Sequence, residues 1–179
     1  MKIKSLTVFC GSKPGKKPAN ILEAAALGEW LALNEVDLIY GGGNKGVMGA
    51  VANACLDNGG KVIGIIPKLL LEWEAQHTGL TELIITDDMH DRKKLLYEKC
   101  DAAMVLPGGI GTMDELFEML TWNNLKIHNK KLYILNVAGY YNALIELLEN
   151  FDTEEFMYQD WKEKLVVIHS TAELSSLFS

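Results

Sequence analysis

Cysteine is scarce in this sequence. The only three, Cys10, Cys55 and Cys100, are far apart, and no CxxC pair occurs. That excludes a cysteine-rich zinc site and a thioredoxin-like redox pair. The count is odd, and no charged-then-apolar leader opens the chain, so a reduced, cytoplasmic protein is expected. Long apolar runs are missing too. None reaches the roughly 18 residues of a membrane span, so no membrane partner is expected. Positive charge is in deficit. Seventeen Lys and Arg face 24 Asp and Glu, for a formal net charge of −7. Such a surface does not grip nucleic acid or an anionic membrane as a whole, although a local basic cluster can hold a small anion. The four histidines are scattered without an HExxH, so no metal is expected, and no Ser or Cys sits in a GxSxG elbow. With no linker, low-complexity tract or repeat, residues 1–179 are expected to form one domain.

What is present is alternation. Short β-branched runs (Ile3–Cys10, Asp37–Tyr40, Val62–Ile66, Glu82–Thr86, Ala102–Leu106, Leu132–Asn136, Leu165–Ile168) are interleaved with amphipathic stretches. Helices are expected over Ala19–Leu33, Val47–Leu56, Met89–Lys99, Met113–Leu125, Tyr140–Leu148 and Ala172–Phe178, with Pro67 breaking the pattern after the third strand. Strand–helix alternation with apolar strands predicts an α/β fold: a Rossmann-like, doubly wound, mainly parallel sheet with helices on both faces. Such sheets bind ligands beyond the carboxyl ends of their strands.

Three glycine-bearing turns follow strand ends: Gly11-Ser12, Gly41–Gly46 with Gly43 at its centre, and Pro107-Gly108-Gly109-Ile110-Gly111-Thr112. In a parallel sheet they share one edge, where glycines admit a ligand close to the backbone and helix starts offer N–H groups to an anion. The plainer alternative is that each glycine only tightens a turn. Two familiar phosphate motifs fail here. Gly41-x-Gly43-x-x-Gly46 lacks the ribose-binding carboxylate about 20 residues on, where Ile65-Ile66-Pro67 stand, and follows the second strand. Gly11–Lys17 is one residue short of a P-loop and lacks its magnesium-binding Ser or Thr.

Thr112-x-x-Glu115 reads in two ways. It is a capping box at a helix start, or Glu115 is a carboxylate in the first helical turn beside a phosphate site, able to act as a base or hold ribose hydroxyls. Arg92, in Met89-His90-Asp91-Arg92-Lys93-Lys94, offers a planar fork of donors, against the alternative of a solvated basic face. Glu74, Trp73 and His77 either line a base pocket or pack their loop. Trp122 has the helical spacing of a core residue, yet it too is a candidate for the base pocket.

Together these motifs resemble the LOG family of cytokinin-activating phosphoribohydrolases, long filed under a lysine decarboxylase label. The likeness runs from Val8-Phe-Cys-Gly-Ser12 through Tyr40–Gly49 and Met89-His-x-Arg-Lys93 to Pro107-Gly-Gly-x-Gly-Thr-x-x-Glu115 and Asn136–Tyr141. Asn20 stands where an aromatic residue is often found, and Glu155-Phe156 where Gly-Phe is usual. The resemblance implies a Rossmann-like homodimer that hydrolyses the N-glycosidic bond of a nucleoside 5′-monophosphate (AMP or an N6-modified AMP) without a cofactor. It further implies phosphate held by Gly108, Gly109, Gly111 and Thr112, Arg92 and Glu115 as the catalytic pair, and Met89 and Lys93 flanking the substrate. The competing reading is a non-catalytic nucleotide or molybdenum-cofactor carrier on the same fold.

Overall fold

A computed structural model describes residues 3–71 and 76–178. Four of the strands are short and apolar, so they bury both faces. They are β1 (Ser5–Phe9), β2 (Asp37–Tyr40), β5 (Ala102–Val105) and β6 (Leu132–Leu135), joined by β3 (Val62–Pro67), β4 (Glu82–Thr86) and β7 (Leu165–Ile168). All seven pair in parallel in the order β4-β3-β2-β1-β5-β6-β7. The sheet is therefore wholly rather than mainly parallel. Pro67 is the last residue of β3, in register with Thr86. β4 is an edge strand with one neighbour, and Ile85 on it is exposed.

The period-2 alternation of strand side chains sorts the core into two layers. Leu6, Val8, Leu38, Tyr40, Val62 and Met104 pack with Leu27 and Leu31 of α1 (Ala19–Leu33) and Val51 and Cys55 of α2 (Gly46–Asp57). On the other face Phe9, Ile39, Ile63 and Val105 pack with three helices. These contribute Leu96 of α4 (Met89–Glu98), Leu116 and Met119 of α5 (Ile110–Asn124) and Leu148 of α6 (Asn142–Thr153). A one-turn helix, α3 (Lys68–Leu71), follows β3, and α7 (Leu174–Leu177) closes the described chain. The chain after β1 thus enters α1 on one face, and the chain after β5 enters α5 on the other. The crevice opens where the winding reverses, between the ends of β1 and β5.

Two expectations need correction. Helix α5 begins at Ile110, not Met113, with Gly109 as its N-cap. Helix α6 begins at Asn142, because Ala138 (φ 47°) and Gly139 (φ 74°) are left-handed and force a 3₁₀ turn over Val137–Gly139 first. Trp161 is 5% exposed and packs in the core.

His77 is buried and binds at three points. Its backbone N–H donates to Gly42 O (2.9 Å), ring Nδ1 accepts from Gly79 N (3.0 Å), and Nε2 lies 2.9 Å from Asn53 Oδ1. An Nδ1 acceptor leaves the proton of the neutral ring on Nε2, to be donated to Asn53. Burial lowers its pKa from 6.5. His128 is also lowered, by burial and then by Lys130. The unfolded chain then binds these protons more readily than the fold does, so their stabilisation is present above pH 6.5 and lost as pH falls below it. Unfolding midpoints followed from about pH 7.5 down to about pH 5 should fall on the acid side, with a shallower slope in His77→Gln. An equal slope in the variant would remove His77 from the account.

Candidate active site

The site is built on the start of α5. Gly109 caps the helix without a side-chain bond, and the first helical bond is Met113 N to Gly109 O at 3.2 Å. The N–H groups of Ile110, Gly111 and Thr112 therefore have no acceptor within the helix and carry its positive dipole end. The Thr112–Glu115 capping box is thereby overturned: Thr112 lies inside the first turn and Glu115 in the second. Beside Gly109 and Gly111 a Cβ would meet nothing within 4 Å, so their backbone faces open space. Gly108 is the opposite case. A Cβ there would overlap Thr112 Oγ1 and come within 2.9 Å of Gly11 N. The turns after β1 and β5 are thus in backbone contact, and Gly11 N donates to Pro107 O at 3.1 Å.

This junction borders a cleft of about 310 Å³, lined by Cys10, Gly11, Ser12, Met48, Leu70, Met89, Arg92, Gly109, Gly111, Thr112, Asp114 and Glu115. Arg92 is in the first turn of α4, whose N-cap Asp88 accepts from Asp91 N at 2.9 Å. Its guanidinium approaches Glu115 Oε1 at 3.6 Å, with the two side chains only 6% and 11% exposed. The bed for the guanidinium is Gly41, where a Cβ would stand 2.5 Å from Arg92 Nη2. A permanent cation and a carboxylate, desolvated side by side one helical turn from an anion-binding helix start, can hold a phosphorylated sugar and meet charge developing on it.

Sequence candidates part company at this point. Gly11, Ser12, Met89, Arg92, Gly109, Gly111, Thr112 and Glu115 share the cleft. Pro107 and Gly108 line an adjoining recess of about 300 Å³ with Lys13, Asn20 and Tyr140, which meets the cleft at Gly11, Ser12 and Gly109. Gly43 is not with them. Its backbone bridges to Gln76, and its carbonyl accepts from Tyr40 OH at 3.1 Å. Trp122 stands edge-on to Tyr97 (centroids 4.3 Å apart) in a separate small hollow between α4 and α5 that also touches Lys93 and Glu115. His77 packs its loop, as described above. Glu74 and Trp73 lie outside the described residues. Lys93 Nζ lies 3.0 Å from Glu118 and 3.2 Å from Asp114 and does not line the cleft.

The sequence alone did not point to Asp114 as a cleft residue or to Tyr140 as a brace. Tyr140 OH donates to Gly108 O at 2.6 Å, and Tyr141 OH to Leu106 O at 2.7 Å, so the segment after β6 pins the turn after β5. Burial pushes the Tyr141 hydroxyl well above its ordinary range, keeping it a donor. The second glycine turn is structural. Besides bedding Arg92 through Gly41, it brings Gly46 (φ 59°) so close to Ser12 and Lys13 that a Cβ would fall 2.5 Å from their backbone. Among the described residues no three His, Cys, Asp or Glu side chains are grouped to hold a metal ion, and no helix is long and apolar enough to cross a membrane.

Known proteins bear on this geometry. A family profile described as "possible lysine decarboxylase" matches residues 48–177. The chain is 44% identical over 165 residues to a cytokinin riboside 5′-monophosphate phosphoribohydrolase of Rhodococcoides fascians, covering 92% of this chain and 83% of that protein. It is 42% identical over 173 residues to one from Arabidopsis thaliana, covering 97% and 80%. Among solved structures, the molybdenum cofactor carrier protein of Chlamydomonas reinhardtii superposes with a TM-score of 0.74 at 18% identity, over 99% of this chain and 96% of that one. The molybdenum cofactor binding protein of Rippkaea orientalis gives 0.71 at 18%, likewise over 99% and 96%. At such identity these two likenesses concern the fold alone.

Proposed function

Because the chain belongs to the LOG family of cytokinin riboside 5′-monophosphate phosphoribohydrolases, we propose that its cleft hydrolyses the N-glycosidic bond of a nucleoside 5′-monophosphate to free base and ribose 5-phosphate. The observation that carries this reading is the buried Arg92–Glu115 pair, one helical turn beyond the open N–H groups of α5. A carrier of intact nucleotide has use for the glycine turns but none for a desolvated carboxylate beside the sugar.

The chemistry follows from charge. The bond from C1′ to the base nitrogen breaks with its electron pair going to the base, and C1′ becomes oxocarbenium-like, as in other glycoside cleavages. Water supplies the hydroxyl that C1′ gains, and the water's remaining proton ends on the base. In this reading the 5′-phosphate docks on Gly109, Gly111 and Thr112 at the start of α5, which fixes C1′ relative to Glu115. Glu115 stabilises the cationic sugar and orients or deprotonates the water. Arg92 holds Glu115 in place and faces phosphate or departing base with its remaining donors. Met89 borders the same cleft. None of these roles calls for a redox cofactor or a metal. The substrate is a small-molecule nucleotide, AMP or its N6-modified form. The functional unit is proposed to be a homodimer, on the strength of the resemblance.

The test is direct. Purified protein incubated with AMP and with isopentenyladenosine 5′-monophosphate should release free base, separable by chromatography, with one ribose 5-phosphate per base. Recovery of both nucleotides intact and still bound would overturn the enzyme reading in favour of the carrier.

A further inference from the structure

The catalytic pair is split between two helices that no backbone hydrogen bond joins. Arg92 rides on α4 and Glu115 on α5, and their contact of 3.6 Å must be set by side chains. Glu115 also has close company. Asp114 precedes it and shares the cleft with Arg92, and Glu118 follows within one turn, so α5 carries three carboxylates between positions 114 and 118. The guanidinium stands on Glu115, which raises the question of what the other two carboxylates pair with.

Lys93, the residue after Arg92, answers this. Its ammonium sits between Glu118 (3.0 Å) and Asp114 (3.2 Å), and its side chain is 13% exposed. Burial opposes a charged ammonium, but the hydrogen bonds from Glu118 and Asp114 outweigh it, and the Lys93 pKa is raised. The ammonium is therefore a standing charge at any working pH. The side chain spans from α4 to two points on α5 that bracket Glu115, and it neutralises the carboxylates at both.

We propose that Lys93 is a positioning residue: by occupying Asp114 and Glu118 it reserves Arg92 for Glu115 and fixes the distance between α4 and α5 at the reacting end of the cleft. This rests on Arg92 and Glu115 being the catalytic pair. It differs from a substrate-flanking role, in which Lys93 would reach the nucleotide and its loss would weaken binding. A positioning residue leaves the phosphate contacts on Gly109–Thr112 untouched, so its removal falls on kcat and not on KM.

The experiment is a cycle of variants assayed on AMP and isopentenyladenosine 5′-monophosphate, with thermal unfolding of each. Lys93→Met should lose about 10- to 100-fold in kcat, with KM within about threefold of wild type, as a misplaced reacting group does. Lys93→Arg should recover most of the loss, since a guanidinium reaches both carboxylates. Asp114→Asn/Glu118→Gln should also lower kcat, because the ammonium of Lys93 is then left to compete with Arg92 for Glu115. Combining this pair with Lys93→Met should recover about tenfold of either loss, the signature of coupled residues. Should Lys93→Met not fold, the carboxylate pair alone and its combination with Lys93→Gln carry the same comparison. An unchanged kcat in Lys93→Met, a loss expressed in KM, or a combined variant no better than its parents would each overturn the proposal. A wild-type protein that releases no base would instead defeat the reading of the pair itself.

Discussion

Glu115→Gln is expected to lose roughly 10²- to 10⁴-fold in kcat, the range for removing a positioned acid–base group, while KM and the thermal midpoint stay close to wild type. The reasoning is specific to this site. The start of α5 is capped by Gly109, so Glu115 is not its capping-box partner. Glutamine keeps the shape and an oxygen to accept from Arg92, which limits the cost of leaving a buried guanidinium unpaired. It loses only the negative charge that faces the sugar. Single-turnover cleavage of AMP, compared with unfolding curves, separates the two quantities. Wild-type turnover in Glu115→Gln would remove this carboxylate from the reaction.

The second large effect is expected from Gly41→Ala, a substitution that touches neither member of the pair. The added methyl would lie 2.5 Å from Arg92 Nη2 and 3.4 Å from Met48 Cε. Gly41 is not among the glycines of positive φ, so alanine strains no backbone there. The atoms that must yield are the far end of a flexible side chain, and the fold should persist. Arg92 cannot then keep its approach to Glu115. Displacing a reacting group by about 1 Å can cost 10²-fold, and a loss of that order in kcat/KM is expected, with a cooperative unfolding transition retained. Full activity in Gly41→Ala would mean that the Arg92 position is not critical.

Much of this architecture was readable along the chain. Val62–Ile66 announces a strand buried on both faces, and Ala19–Leu33 a helix whose limits match α1 as observed. The third glycine turn, Arg92 and Glu115 could be singled out from local chemistry, because a helix start that binds an anion is a local device. What was not readable depends on contacts between distant segments. Gly109-Ile110-Gly111 looks too glycine-rich to be helical, and Thr112-x-x-Glu115 imitates a cap, so the local pattern points to a start three residues after the true one at Ile110. Only the pressure of Gly11 against Gly108, and the brace from Tyr140, show why the helix begins where it does. Gly41 matches a dinucleotide fingerprint by spacing, whereas its task is set by Arg92, 51 positions on. Lys93 looks like part of a solvated basic run until Asp114 and Glu118 are brought to it.

The early start of α5 has a metric consequence. A helix rises about 1.5 Å per residue, so Glu115 stands roughly 4.5 Å along the axis from Thr112. On the proposed reading that helix is a ruler, with its zero at the phosphate and its mark at the carboxylate. It would measure off one ribose, the span from a 5′-phosphate to the anomeric carbon. A nucleoside without phosphate has no zero to set against it, and a phosphate on the far side of the sugar sets the wrong one. Selectivity for the 5′-monophosphate would then lie in the pitch of one helical turn, leaving the rest of the cleft free to choose the base.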